Sequence, residues 1–437
     1  MISNEQNTIA AIATASGPGG VGIVRVSGGD ALGIANSICS KDVLAFDDRK
    51  LILSKVIDGN EVVDEALFVK MLGPNSFTGE DVVEIQCHGG YVNLGKILRS
   101  LLGQGARLAE PGEFTRRALI NGKMDLVQAE AILNISNAKT ERSLRMAQAH
   151  RSGKLSEEYK SIRLSLSKLL AEIEARIDFP EEGIEAAVFE KLCIDTDKTL
   201  ASIAKLSDSF VLGGKIKDGA LVVMTGKTNV GKSSLLNCLA GEERALVSAE
   251  HGTTRDLVEA EIVLNGLNVK VVDTAGLRSN PTDLEKAGWE LAEKKKNLAD
   301  LEIRLIGPDE APPGDQEKTL VVRSKIDLVD DKNALDLGVS SKTGEGVDAL
   351  KKLIYDHLIE ENNFDESMVV TNERHKNLLE NAKEFLVTAL ANIKNSAPFE
   401  VVALDLRGAH RMIGEIVGEE IHEDVLDALF GDFCIGK

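Results

Sequence analysis

The hydrophobic period of the chain changes three times. Through residues 1–120, the runs "VGIVRVSGG", "KLILSKVID", "EALFVKML" and "DVVEIQCHGG" alternate apolar and polar positions between turn residues, as half-buried strands do. Helical spacing interrupts them near 30–39 and 91–103, so the segment is predicted to be an α+β domain. From 121 to 213 the strand signal vanishes. Ile162, Leu166, Leu169, Leu170 and Ile173 recur at helical spacing, and "DFPEEG", with Pro180 and Gly183, breaks the pattern. Residues 214–360 alternate strand and helix as an α/β domain does, and residues 361–437 return to helix. The economical arrangement is multidomain: an N-terminal α+β domain, then a discontinuous helical domain with an α/β domain inserted between its two sequence halves.

Composition changes this picture little. A length of 437 residues suits roughly three domains of about 150 each. The N-terminus has no basic segment before its apolar run, and no stretch approaches the roughly 18 apolar residues that span a bilayer. A cytoplasmic protein without a membrane partner is expected. Cys39, Cys87, Cys193, Cys238 and Cys434 lie far apart and form no C-x-x-C pair, which signals neither a disulfide framework nor structural zinc. A net charge of −19 opposes indiscriminate binding to a phosphate backbone, so a nucleic-acid partner must meet a local basic patch. "KTERSLRMAQAHRSGK" (139–154), with Lys139, Arg142, Arg145, Arg151 and Lys154, is either that patch or a solvated helix face.

The strongest chemical signal is "ALVVMTGKTNVGKSSLLNCLAG" (220–241), an apolar strand, a loop of the form Gly226-x-x-x-x-Gly231-Lys232-Ser233, and a helix. Backbone N–H groups of such a loop, including Asn229, Val230 and Ser234, wrap phosphates; Lys232 reaches the β and γ oxygens and Ser233 offers its hydroxyl to Mg2+. In "VVDTAGLR", Asp273 ends a strand and can hold Mg2+ through water, followed by Thr274, Ala275 and Gly276, whose N–H can sense a γ-phosphate. Thr254 in "EHGTTRD" supplies a second hydroxyl for Mg2+. "LVVRSKIDL" offers Ser324, Lys325 and Asp327; the carboxylate of Asp327 can accept from N1–H and N2–H of guanine, which adenine cannot match, so GTP is favoured over ATP. "VSSKTGEG" adds Ser340, Ser341 and Lys342 beside the base. Four elements in this order specify a Ras-like P-loop GTPase domain. Two positions depart from the usual pattern: Ser324 stands where Asn braces the loop, and Leu277 where Ras-like switches place the water-orienting Gln.

With Asn229 in the phosphate loop and "GTTRD" following, the block resembles the potassium-activated GTPases. The whole chain resembles the MnmE (TrmE) family of tRNA-modification GTPases, through "GPNSFTGEDVVEIQCHGG", "EPGEFTRRALINGKMDLVQAEAI", the phosphate loop inside a helical domain, and the terminal "FCIGK". The resemblance implies an N-terminal domain that forms a homodimer and binds a folate, 5-formyltetrahydrofolate or methylenetetrahydrofolate. It also implies a flavoprotein partner, MnmG (GidA), in a heterotetramer-type complex, and addition of an aminomethyl or carboxymethylaminomethyl group to C5 of the wobble uridine of tRNA. It places Arg25, Glu84, Lys123 and Lys437 at the folate, and Asn229, Ser248, Glu250 (through its backbone carbonyl) and Thr253 at K+. Glu285 in "PTDLEKAG" becomes the catalytic glutamate that orients water. Without the resemblance, Arg25, Glu84 and Lys123 are ordinary salt-bridge residues and Glu285 a helix-start acid. A function of another class, a non-enzymatic GTP switch that binds ribosomal or other assemblies, stays open. The linker "ADLEIRLIGPDEAPPGDQEKTLVV" is shorter than the family's and lacks its Val-x-Asp strand ending; with Ser324, this bears on nucleotide affinity.

Cys434 stands fourth from the end, where a lipid could be attached, but Lys437 and the acidic run "EEIHEDVLDALFGD" do not fit prenylation. No His flanks it and Asp432 is near, so the thiol is either a packed small apolar group or a catalytic nucleophile. Gly436 and Lys437 read as a flexible, charged tip.

Overall fold

The computed structural model describes residues 7–15, 17–178, 186–241, 258–273, 295–314, 316–329, 337–359, 364–419 and 423–437. They form two compact units, one of residues 1–133 with 414–437 and one of 134–413.

In the first unit the alternating runs become β1 (Ile9–Ile12), β2 (Val21–Ser27), β3 (Ile52–Asp58), β4 (Glu61–Met71), β5 (Val82–His88) and β6 (Arg107–Leu108), in the order β3-β4-β5-β2-β1-β6. Helices α1 (Ala31–Ser37) and α2 (Tyr91–Gly103) cover one face. There Val24, Val26, Val83 and Ile85 pack with Ile34, Ile97 and Leu101. Because strand side chains alternate, Arg25 points to the opposite face, where it is paired across β2 and β5 with Glu84. That face carries its own smaller core of Ile9, Ala11, Ala109 and Phe114, with Phe77 against it, at the start of α3 (Glu113–Ile120); α4 (Leu126–Asn137) follows.

In the second unit, α5 (Glu141–Arg151), α6 (Lys154–Asp178), α7 (Ala186–Asp208) and α8 (Phe210–Asp218) lead into the inserted block. Ile162, Leu166, Leu169 and Ile173 line the buried stripe of α6 and Leu170 lies at its margin. The block comprises β7 (Ala220–Gly226), α9 (Lys232–Ala240), β8 (Val258–Leu264), β9 (Leu267–Asp273), β10 (Leu301–Ile306), β11 (Thr319–Ser324), β12 (Gly338–Val339) and α10 (Val347–Leu358). After it come α11 (Glu373–Lys394), which packs along α7, α12 (Phe399–Val417) and, back in the first unit, α13 (Glu423–Gly431). At the base of the insertion the Lys215 ammonium donates to the carbonyl of Leu358 (2.9 Å).

The second sheet has the order β12-β11-β10-β7-β9-β8, parallel except for β8. One face is a full apolar layer: Val222, Met224, Ile303, Leu305 and Val322 meet Leu235 and Leu239 of α9 and Leu350 and Ile354 of α10. Parallel strands are usually joined by helical crossovers that also cover the second face. Here residues 307–318 connect β10 to β11 with no helix among the described residues. Positions alternating away from the apolar layer include Glu302, Arg304 and Arg323 beside the aliphatic Val223, Val272 and Ile306. Glu302 accepts from Thr225 (2.6 Å) and pairs with Lys296 (3.2 Å) and Arg304 (3.1 Å).

Two of the five cations of the candidate basic patch are taken up in ion pairs, while Arg145, Arg151 and Lys154 are exposed. Lys139 pairs with Glu261 (3.0 Å), and Arg142 is buried, bound to both oxygens of Glu366 and to the Tyr355 hydroxyl (3.0 Å). Lys139, just before α5, ties to β8, and Arg142 ties α5 to α10; Arg145 lies exposed near Glu141.

Candidate functional site

Every described candidate in the inserted block lies at or just beyond the carboxyl end of a parallel strand. In open α/β sheets that edge, next to the point where strand order reverses, is where ligands bind. The chain leaves central β7 for β8 and β9 on one side and then for β10 on the other, which makes the end of β7 that point.

β7 ends at Gly226, where a Cβ would lie 2.4 Å from the carbonyl oxygen of Leu305 and φ is +136°. Only glycine lets the loop leave the strand there. The loop passes Asn229, at φ +61° and exposed, and Gly231 to the N-terminus of α9, an end that favours anions. Lys232 is buried, and its ammonium donates to the carbonyls of Gly226 and Lys227 (both 2.8 Å). Ser233 donates to Asp273 (2.7 Å), whose carboxylate is fully buried at the end of β9. A hydroxyl and a carboxylate so placed fit Mg2+, which takes few protein ligands beside nucleotide phosphates. Magnesium, when bound, supplies charge neutralisation to the β and γ oxygens; Lys232 adds a fixed cation and the α9 end a set of N–H donors.

At the end of β11, Ser324 is buried and its hydroxyl lies 2.6 Å from the Val230 carbonyl and 3.1 Å from that of Ile306. The serine therefore braces the phosphate loop in the role expected of Asn. Lys325, at φ +59°, donates to the Asn229 carbonyl (2.6 Å). Ser340, fully buried, donates to Asp327 (2.7 Å) and orients its carboxylate, while the amides of Lys342 and Thr343 approach the same hydroxyl (both 3.3 Å). Ser341 is half-buried and Lys342 exposed. Ser234 is exposed on the first turn of α9 and Val230 buried beneath the loop. Ser248, Glu250, Thr253, Thr254, Thr274, Ala275, Gly276 and Glu285 lie outside the described residues. Replacing Ser324 by Ala removes the single hydroxyl proton that the Val230 carbonyl is placed to accept, a loss of about 1–3 kcal/mol. Titration with a fluorescent guanine nucleotide is expected to show affinity falling about tenfold, and restored in Ser324→Asn. Unchanged binding in Ser324→Ala would show that the hydroxyl does not brace the loop.

A second cluster sits on the open face of the first sheet. Arg25 contacts Glu84 through Nε and Nη2 (both 2.8 Å), and its guanidinium lies over the rings of Phe77 (5.8 Å) and Phe114 (5.5 Å). Nη1 of Arg25 reaches the carbonyl of Gly436 (3.4 Å). Lys123 is exposed and donates to the Pro74 carbonyl (2.7 Å), in the same loop as Phe77. A network that the sequence did not reveal holds this loop. Buried Arg117 bonds both oxygens of Glu80 (3.1 Å) and Glu113 (2.9 Å), while Ser27 donates to Glu80 (2.7 Å). Burial pushes the Glu113 carboxyl up, but hydrogen bonds from Arg107, the Glu110 amide and Arg117 outweigh it and hold the group below the usual range. The signal was present in "EPGEFTRRA", a charge-rich stretch that could have been read as a buried ion network.

The chain's end is pinned, not flexible. Ile435 bridges to Pro111, the amide of Phe114 donates to the Lys437 carbonyl (3.2 Å) and that of Gly112 to Cys434 (3.5 Å). Gly436 has φ +99° and packs so closely that a Cβ would lie 2.2 Å from the carbonyl of Ile12. Phe433 is the residue that packs, against Phe430 and Ala129. Cys434 is exposed, which overturns its reading as a packed apolar group.

A phosphate loop, a serine hydroxyl bonded to a buried aspartate and a braced Ser-Lys-x-Asp element on one sheet edge define a P-loop GTPase inserted in a helical protein. The family model for the GTP-binding protein TrmE N-terminus matches residues 8–123 and that for the MnmE helical domain residues 126–434. The chain is 41% identical over 454 residues to the tRNA modification GTPase MnmE of Geotalea uraniireducens and 38% identical over 458 residues to that of Clostridioides difficile, in each case covering 99% of both chains. The chain belongs to the MnmE family of tRNA-modification GTPases.

Proposed function

We propose that this chain works with a flavoprotein partner of the MnmG (GidA) kind and a folate one-carbon donor. Together they add an aminomethyl or carboxymethylaminomethyl group to C5 of the wobble uridine of tRNA, with GTP hydrolysis assisted by K+. The observation that carries the reading is the meeting of Arg25 and Glu84 with the Gly436 carbonyl of the docked chain end. A folate offers carboxylates and pterin N–H donors, which suit guanidinium and carboxylate respectively. In the protein alone Arg25 and Glu84 satisfy each other, so such a ligand exchanges their mutual bonds for its own. Lys123 and Lys437 add cations for the carboxylates. For K+, the support is Asn229 exposed in the phosphate loop together with Leu277, which cannot orient water. Homodimerisation through the N-terminal domain and a cytoplasmic setting belong to the same reading; among the described residues no helix is long and apolar enough to cross a membrane.

The test is calorimetric titration with 5-formyltetrahydrofolate, expected to show saturable binding in the wild type and at least about tenfold weaker binding in Arg25→Ala, which loses charge-assisted bonds. Absence of binding to the wild type sinks the folate assignment. GTP hydrolysis is expected to run at least about tenfold faster in potassium than in sodium, and equal rates remove the K+ assignment.

A further inference from the structure

Three consecutive residues at the end of β11 reach toward the phosphate loop by different routes. Ser324 and Lys325 bond its carbonyls directly. Arg323 acts one step removed: its Nη1 atom donates to the carbonyls of Gly307 (3.0 Å), Pro308 (2.7 Å) and Glu310 (2.8 Å), fastening the non-helical linker that follows β10. So held, the linker turns Glu310 onto the phosphate loop, where its carboxylate pairs with the Lys227 ammonium (2.8 Å). The Gly307 amide lies 3.4 Å from the other carboxylate oxygen, and Lys227 beside it holds the Glu310 carboxyl below the usual range. Lys227 directly follows Gly226, and its own carbonyl is one of the two that Lys232 grips. The loop that binds phosphate thus carries two ammonium groups, one buried among backbone carbonyls and one neutralised by a carboxylate from the shortened linker.

We propose that Glu310 is a positioning residue that sets nucleotide affinity: it holds Lys227 in an ion pair, so that this second cation is withheld from the bound phosphates. Loss of Glu310 frees Lys227 to attend the phosphates. Loss of Lys227 leaves the Glu310 charge unmatched beside them. The two substitutions therefore act in opposite directions, which a surface ion pair with no bearing on the ligand would not do. With Lys227 76% and Glu310 32% exposed, neither side chain carries the fold, and a plain surface pair of this kind contributes little.

The experiment measures GDP and GTP dissociation constants and GDP release rates for wild type, Glu310→Gln, Lys227→Met and the double variant, at low and high salt. Expected are affinities tighter by roughly three- to tenfold in Glu310→Gln, weaker by a similar factor in Lys227→Met, and near wild type in the double variant, with differences shrinking as salt screens them. In Glu310→Gln, which lies outside the phosphate loop, the turnover number at saturating GTP stays within about twofold, so the effect there lies in KM. Guanosine, which has no phosphates, is expected to bind all four alike. Equal nucleotide affinity across the set, weakening in both single variants, or a matching change for guanosine would overturn the proposal. Thermal melts accompany each variant, and a melt shared with wild type keeps a negative result decisive.

Discussion

Lys232→Ala is expected to abolish GTP hydrolysis, lowering kcat/KM by about 10³-fold or more while the protein melts within a few degrees of wild type. The size of the effect follows from where the side chain is held. Lys232 opens α9, is buried, and already aims its ammonium inside the loop, at the carbonyls of Gly226 and Lys227. Phosphate oxygens are stronger acceptors than carbonyls, so the ammonium is positioned before nucleotide arrives and its charge acts where water is excluded. Removing one preorganised donor from such a site costs about 10²–10³ in rate, and here a full charge goes with it. Lys232→Arg is not expected to rescue, because a planar fork cannot occupy the space of a compact ammonium. Single-turnover hydrolysis with radiolabelled GTP measures the loss; activity within tenfold of wild type would show that the loop does not bind the phosphates as the geometry requires.

The described part of the candidate nucleotide site was legible in the sequence because its parts are local. A strand, a Gly-x-x-x-x-Gly-Lys-Ser turn and a helix follow one another directly, and the sheet gathers Gly226, Asp273 and Ser324 at one edge simply because parallel strands end there. What the sequence left open needed tertiary contact. Ser324 read as a departure that bears on guanine binding, yet its hydroxyl reaches the Val230 carbonyl, a partner 94 residues away by that bond. Arg323 and Glu310 carried no motif and meet the phosphate loop only through the folded linker. Arg142 looked like part of a basic run, whereas its partners Glu366 and Tyr355 come from beyond the inserted strands. Net charge and spacing describe what a segment contains; which of its charges face solvent is decided by the elements that pack on it.

The tail shows the same limit and leads to the second large effect. Deleting residues 434–437 is expected to abolish tRNA modification, read by mass spectrometry of tRNA nucleosides, while GTP hydrolysis stays within about twofold of wild type. The deletion alone is an imperfect probe, since the amides of Phe114 and Gly112 lose the acceptors supplied by Lys437 and Cys434, and an unsatisfied buried amide costs about 1–3 kcal/mol. Gly436→Ala is sharper. A Cβ there would lie 2.2 Å from the Ile12 carbonyl, and φ +99° is strained for any other residue, so the tail must leave its seat although every other atom of it is still present. Leaving the seat also takes the Gly436 carbonyl from Arg25 and the Cys434 carbonyl from the Gly112 amide. Gly436→Ala is therefore expected to lose modification as the deletion does. Cys434→Ser leaves the tail seated, because the exposed thiol contributes its backbone carbonyl and not its sulfur to the docking. It reports the sulfur's share: full modification in Cys434→Ser with none in Gly436→Ala assigns the tail a positioning role, and loss in both assigns chemistry to the thiol. Normal modification by Gly436→Ala and by the truncated chain would reduce the segment to packing.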